Sequence, residues 1–279
     1  LGRKNGKTLI VSGSAELEAF TGEYGGEIYF TAPKLAQANL GYDGFYQMLR
    51  FEPDLLKRVK RRRSDIYYAD RNTTVAPLAF NANTSDGFNI SLGICDELAA
   101  WPATQGKKFY EVLKSSMGSR REPLLLSITT ASYINGGPYD ELYSRATKVL
   151  KGSSKEQRLL PFLYHIDDLD KWNDMEELKK ANPNLGISIS VDFMKEEIAV
   201  AETSFSKKAE FFTKYCCVKQ NSSTAFLKAT DVQKSVVEIQ DPLEFFRGSY
   251  CVAGIDLSRT TDLSAVVHLI EKQGTIYLL

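Results

Sequence analysis

Apolar positions along the chain fall into two rhythms. Dense, β-rich runs at 27–32, 90–95 and 123–131 predict buried strands, with shorter strands at 65–69 and 76–81 and a turn at Thr84-Ser85-Asp86-Gly87. Between them, apolar residues recur at helical spacing. They predict helices over 33–50, from Pro53 into the basic run 57–63, over 107–118 and over 139–150. In the last of these Tyr139, Leu142, Tyr143, Ala146, Val149 and Leu150 share a face, and Gly152 sits where a C-terminal cap belongs. Strands alternating with helices predict a parallel α/β sheet.

After residue 152 the rhythm changes to alternating charged and apolar residues. Helices are predicted over 170–181 and 191–203, separated by the breaker Asn182-Pro183-Asn184. Phe205, Ala209, Phe212 and Cys216 make a third apolar stripe, and Asn221-Ser222-Ser223-Thr224 and Gln240-Asp241-Pro242 read as loops. Strands return at 250–258, 263–270 and 275–279, with Arg259-Thr260-Thr261-Asp262 as the first turn. The organisation expected is therefore a domain at 1–152, a helical linker region at 153–246, and the opening of another domain at 247–279.

Composition narrows the classes. The chain has 279 residues, 43% hydrophobic and 25% charged, an ordinary globular balance with length for two domains. Lys+Arg and Asp+Glu both number 35, so no global field advertises nucleic acid or membrane. Four unpaired-looking cysteines and two histidines argue against a disulfide framework or a zinc site, and His165 reads as a loop residue. No long apolar stretch or signal peptide is visible, so a cytosolic protein is expected.

The run 90–95 delivers two adjacent carboxylates, Asp96 and Glu97, at the carboxyl end of its strand, where open α/β sheets bind ligands. One carboxylate can hold a hydrated magnesium ion while the next polarises a water for attack on phosphate. Side chains alternate along a strand, so this division of labour requires the strand to end between them. Alone the pair reads more readily as a solvated strand end. A phosphate cradle supports it: Gly6-Lys7-Thr8 matches the end of the P-loop, where glycine admits phosphate to backbone N–H groups, lysine reaches the β and γ phosphates, and threonine binds magnesium. The pattern's first glycine belongs at position 1, which is Leu; Gly2 comes one residue late, and no strand precedes the loop. The first strand is thus expected to be missing. Thr129 and Thr130 end the run 123–131 as hydroxyls able to sense a γ-phosphate. The cations 57–63 fit either a nucleic-acid backbone or a solvated helix end. Asp256, placed in what reads as a buried strand, needs neutralisation or a metal; Asp262 is a weaker candidate.

Taken in order, Gly2-Arg3-Lys4-Asn5-Gly6-Lys7-Thr8, the 84–89 lead into Ile94-Cys95-Asp96-Glu97-Leu98, Ser127-Ile128-Thr129-Thr130-Ala131, the 179–186 segment and Gly254-Ile255-Asp256-Leu257-Ser258 resemble phage terminase large subunits. The resemblance covers nearly the whole chain. It implies a P-loop ATPase domain, a helical linker and the first strands of a truncated RNase H-like nuclease domain. It implies ATP and Mg2+ as cofactors, with Mg2+ or Mn2+ at the nuclease site. ATP would be held by Arg3, Lys4, Asn5, Gly6, Lys7 and Thr8; Arg3 would report on the γ-phosphate. Thr8 and Asp96 would hold the metal, Glu97 would be catalytic, and Ser127, Thr129 and Thr130 would couple hydrolysis to movement. Asp256, with Asp262, would bind the nuclease metals. The other nuclease carboxylates would lie past Leu279, so the 279 residues alone are expected to lack nuclease activity. The resemblance further implies double-stranded DNA, a portal protein and a terminase small subunit as partners. It implies a homo-oligomeric ring on the capsid, no membrane, and the cytoplasm of an infected or lysogenic bacterium. A helicase-like ATPase and a degenerate P-loop scaffold are the rival readings.

Overall fold

The computed structural model describes residues 1–80, 87–220, 234–257 and 265–279. Two compact units divide the chain, 1–225 and 226–279.

The first unit is built on a six-stranded sheet in the order β2-β3-β4-β1-β5-β6. Its strands are β1 (Glu27–Thr31), β2 (Val59–Arg61), β3 (Ile66–Tyr68), β4 (Thr73–Leu78), β5 (Leu92–Asp96) and β6 (Leu124–Ile128). Pairs β4-β1, β1-β5 and β5-β6 are parallel, whereas β2-β3 and β3-β4 are antiparallel. The sheet is therefore mixed, a parallel core carrying an antiparallel edge, and not parallel throughout.

Alternation sorts side chains to two covered faces. Ile28, Phe30, Leu92 and Ile94 pack beneath α1 (Lys7–Thr21) and α2 (Leu35–Phe51), in one cluster with Val11, Ala15, Phe45 and Leu49. Gly41 lets α2 press on the sheet, since a Cβ there would meet the Phe30 ring at 2.5 Å. Tyr29, Cys95 and Leu125 face the other way, against Leu98, Trp101 and the Phe109 and Leu113 of α4 (Ala103–Ser115). α5 (Pro138–Leu150) follows β6. A strand covered on both faces must be apolar throughout, which is why Leu92, Gly93, Ile94 and Cys95 are all buried.

The basic run departs from expectation. α3 (Pro53–Leu56) ends early, and residues 59–61 form edge strand β2, joined to β3 by a turn in which Arg62 N donates to Asp65 O. β-branched Val59 and the turn favour a hairpin over continued helix. The guanidinium of Arg61 lies over Tyr46 at 4.4 Å and that of Arg62 over Tyr67 at 4.6 Å while pairing with Asp65. Charges so placed shield a sheet edge from unwanted strand pairing.

Residues 166–218 build a core of their own around Trp172, Leu178, Met194, Ile198, Phe211 and Phe212. The helix expected from 170 starts later. A 3₁₀ turn spans Leu169–Lys171, and α6 (Met175–Ala181) begins where the Asp174 carboxylate accepts the N–H groups of Glu176 and Glu177. α7 (Val191–Glu202) and α8 (Phe205–Phe211) are capped by Ser190 and Ser204. α8 runs on as a π turn, Phe212–Cys216, ended by Cys217 in the left-handed region at φ 55°.

The second unit holds α9 (Pro242–Phe245) and an antiparallel sheet of β7 (Cys251–Asp256), β8 (Ala265–Lys272) and β9 (Thr275–Leu278). The Phe246 and Tyr277 rings pack 5.0 Å apart. The strands match expectation, and Asp256 is the last residue of β7, exposed with the rest of that strand. Asp262, the turn at 259–262 and Thr84-Ser85-Asp86 lie outside the described residues. Among the described residues no helix is long and apolar enough to cross a membrane.

Candidate nucleotide site

β5 ends at Asp96, and the chain turns at once. Glu97 has φ 49° and ψ 43°, in the left-handed region, and opens a 3₁₀ turn at Leu98–Ala100. A non-glycine residue there costs about 1–2 kcal/mol, so the turn is held by other bonds. The Asp96 carboxylate accepts the Glu97 N–H at 2.8 Å. The Trp101 indole donates to the Asp96 carbonyl at 2.9 Å, and the ring is fully buried. Thr129, just past β6, accepts the Ala99 N–H on its hydroxyl at 3.0 Å. The tips of β5 and β6 are thereby tied together, and the strand ends between the two carboxylates.

Burial pushes the Asp96 carboxyl up to about 6; Glu97 adds to the effect, while the Glu97 N–H and Lys7 oppose it. A carboxylate that is costly to ionise unaided favours a cation beside it. Asp96 and the exposed hydroxyl-bearing Thr8, at the start of α1, are hard oxygen donors of the kind magnesium takes.

The loop read from the sequence as a phosphate cradle precedes α1. Gly6, at φ 80°, makes the left-handed turn that starts this 15-residue helix, and its carbonyl accepts Ile10 N–H. The helix's first-turn N–H groups and its dipole favour an anion. Lys7 Nζ donates to the carbonyls of Leu1 (2.9 Å) and Gly2 (2.7 Å). Burial lowers its pKa, against the opposing charges of Cys217, Glu97 and Asp96.

The loop's other face packs on residues 181–214, within the segment the sequence reads as a linker. Asn5, 4% exposed, donates from Nδ2 to Arg3 O and to Asn182 Oδ1, both at 3.0 Å, and its Oδ1 accepts Asn184 N–H at 3.0 Å. Asn182, fully buried, donates onward to Leu178 O and Tyr215 O. Gly2 N–H donates to Ala181 O, Arg3 N–H to Lys214 O, and the Ser188 hydroxyl to Lys4 O. The Asn5 side chain, expected at the phosphates, is committed to the linker instead. Gly2 has a matching reason: a Cβ there would lie 1.9 Å from Asn182 Oδ1. Arg3 and Lys4 are exposed.

A cleft of about 300 Å³ opens between loop, sheet and linker, lined by Arg3, Glu97, Thr130, Tyr133, Glu210 and Lys214 among others. Ser127 stands apart from it, its buried hydroxyl beside Cys95 and Tyr110 with no well-formed hydrogen bond. The structure thus brings Lys7, Asp96, Glu97, Thr129 and Thr130 to one end of the sheet. Asp256 belongs to the second unit. Sequence reasoning missed Asn182, Asn184 and Lys214; the signal was the polar pair flanking Pro183 in an otherwise apolar-striped region.

Residues 1–148 match the family of terminase large subunit ATPase domains, and residues 155–279 that of terminase large subunit endonuclease domains. The terminase large subunit of Lactococcus phage SK1 is 24% identical over 284 residues, covering 99% of this chain and 51% of the relative. Protein YmfN of Escherichia coli K12 is 30% identical over 164 residues, covering 59% of this chain and 36% of the relative. The chain thus spans about half or less of the curated relatives it matches. Among solved structures, the HK97 bacteriophage large terminase superposes with a TM-score of 0.69 at 21% identity, over 100% of this chain and 57% of that one. The ATPase domain of a Thermus phage large terminase, solved as a point mutant, gives 0.54 at 15% identity, over 78% of this chain and 86% of that one. These likenesses carry the fold, and the two family matches carry the assignment: the chain belongs to the terminase large subunit family.

Proposed function

We propose that this chain carries the ATP-hydrolysing motor of a phage DNA-packaging terminase, together with part of its metal-dependent endonuclease domain. One observation carries the motor reading. Lys7 opens α1 directly after the left-handed turn at Gly6, and Asp96 and Glu97 stand on either side of the turn that ends β5. The family matches favour packaging over the helicase-like or scaffold readings.

In this reading the N–H groups of Gly6 and the first turn of α1 cradle the phosphates, and Lys7 leaves the Leu1 and Gly2 carbonyls to reach them. Thr8 and Asp96 would hold Mg2+, whose charge would offset that of the phosphates. Glu97, set by its left-handed turn, orients the attacking water. Arg3 reports on the γ-phosphate. The Thr129 bond to the turn after Glu97 passes hydrolysis to β6, with Thr130 beside the cleft and Ser127 farther back. Asp256, with Asp262, contributes to the nuclease metal site, for Mg2+ or Mn2+. The three-part division at 1–152, 153–246 and 247–279 describes motor, linker and nuclease opening. The partners are double-stranded DNA, a portal protein and a terminase small subunit, in a ring on the capsid within the bacterial cytoplasm.

Packaging tests it. Full-length protein with empty heads and linear DNA should protect DNA from nuclease only with hydrolysable ATP, and the Lys7→Ala variant should not. Equal protection by Lys7→Ala, or protection without ATP, would refute the reading.

A further inference from the structure

One direct hydrogen bond and a two-bond relay through Asn182 join residues 214–215 to the loop before α1. Lys214 O accepts Arg3 N–H at 3.0 Å; Tyr215 O accepts from Asn182 Nδ2 at 2.7 Å, and Asn182 Oδ1 accepts from Asn5. The Lys214 side chain lines the same cleft as Glu97, Arg3 and Thr130, and there its ammonium is paired with Glu210 one turn back. A partly exposed pair of this kind is cheap to break. The cleft thus has two cations, Arg3 from the loop and Lys214 from the linker, and the side of the site that holds Glu97 is the side where charge grows on the transferred phosphoryl group.

We propose that Lys214 is a catalytic cation supplied in cis by the linker, which exchanges Glu210 for the γ-phosphate when ATP is bound. The proposal rests on the ATPase reading above. The fit is chemical: a compact ammonium on a flexible stem binds phosphate as a point charge, and its backbone is already anchored to the loop, so little ordering remains to be done on binding. The exchange also links phosphate occupancy to the junction of α8 and its π turn, because Glu210 lies on α8 and Lys214 on the π turn.

The test is made on the full-length protein, with steady-state Mg-ATP turnover and fluorescent-nucleotide binding for Lys214→Gln, Lys214→Arg, Glu210→Gln and Lys7→Ala. Lys214→Gln should lower kcat about 10²-fold, in the range of removing one donor to developing charge. It should weaken a γ-phosphate-bearing analogue about tenfold and leave ADP affinity unchanged. Lys214→Arg, which keeps charge and folds if Gln does not, should restore part of kcat. Glu210→Gln, freeing the ammonium, should tighten the ATP analogue and not ADP. Unchanged kcat and unchanged ATP-over-ADP preference in Lys214→Gln, while Lys7→Ala abolishes turnover, would overturn the role of Lys214 and leave the motor reading intact. If Lys7→Ala turns over like wild type, the motor reading falls and this proposal with it.

Discussion

Replacing Gly2 with alanine probes the joint between loop and linker without touching any carboxylate. The added Cβ would stand 1.9 Å from Asn182 Oδ1, 2.9 Å from Asn182 Cγ and 3.1 Å from Asn5 Nδ2. Asn182 has no easy retreat, because it is fully buried and its Nδ2 is bonded to Leu178 O and Tyr215 O. Overpacking of this kind costs about 1–3 kcal/mol, and displacing the Asn5–Asn182 bond adds about 1 kcal/mol. Gly2→Ala should thus destabilise by roughly 2–4 kcal/mol, or about 5–15 °C in melting temperature for a unit of this size. Urea denaturation followed by tryptophan fluorescence reads it, since Trp101 lies in the sheet cluster and Trp172 in the linker cluster. Gly13→Ala is the control of opposite sign. Gly13 lies inside α1, and a Cβ there would meet only Met48 Cε at 3.8 Å, so alanine should stabilise by about 0.5–1 kcal/mol. Asn182→Ala made on top of Gly2→Ala should cost less than the sum of the two. A Gly2→Ala protein as stable as wild type, or strict additivity in the cycle, would refute the reasoning.

Two further outcomes follow from the tip of β5. The Asp96 carboxyl, pushed up to about 6 from an ordinary 3.8, keeps its proton in the folded state where the unfolded chain has released it. Its contribution is therefore most favourable below about pH 4 and is lost as pH rises through 6, leaving an ionised Asp96 that costs roughly 2–3 kcal/mol without a cation. Asp96→Asn should raise the denaturation midpoint at pH 8 and change it little at pH 4, and magnesium should stabilise wild type alone; equal gains at both pH values would count against it. At position 97 the usual order of alanine and glycine should invert, with Glu97→Gly more stable than Glu97→Ala by about 1 kcal/mol because φ is 49°. Alanine the more stable of the two in thermal melts would disprove the left-handed turn.

What was legible in the chain, and what was not, divides by distance along it. Strand β5 and its carboxylates could be read because a run buried on both faces must be apolar, and any charge at its end stands out. The left-handed turn at Gly6 that opens α1 was readable because a Gly-Lys-Thr pattern sets a glycine turn before a helix start. The basic run misled, because a stretch of cations has no period of its own; Val59 and the Arg62–Asp65 turn decided for a strand. The Asn5–Asn182 bond joins residues 177 apart, and no local pattern announces such a pair. The late Gly2, an oddity against the P-loop pattern, is explained only once Asn182 is seen against it.

Magnesium-dependent ATP turnover by the full-length protein, beside Glu97→Gln and Lys7→Ala, tests the central claim most directly. The site as built predicts that wild type hydrolyses ATP, that Glu97→Gln binds nucleotide but slows by about 10²–10⁴-fold, the range for loss of a positioned base, and that Lys7→Ala fails to bind. Three proteins behaving alike would contradict it and reduce the Asp96–Glu97 turn to the end of a strand.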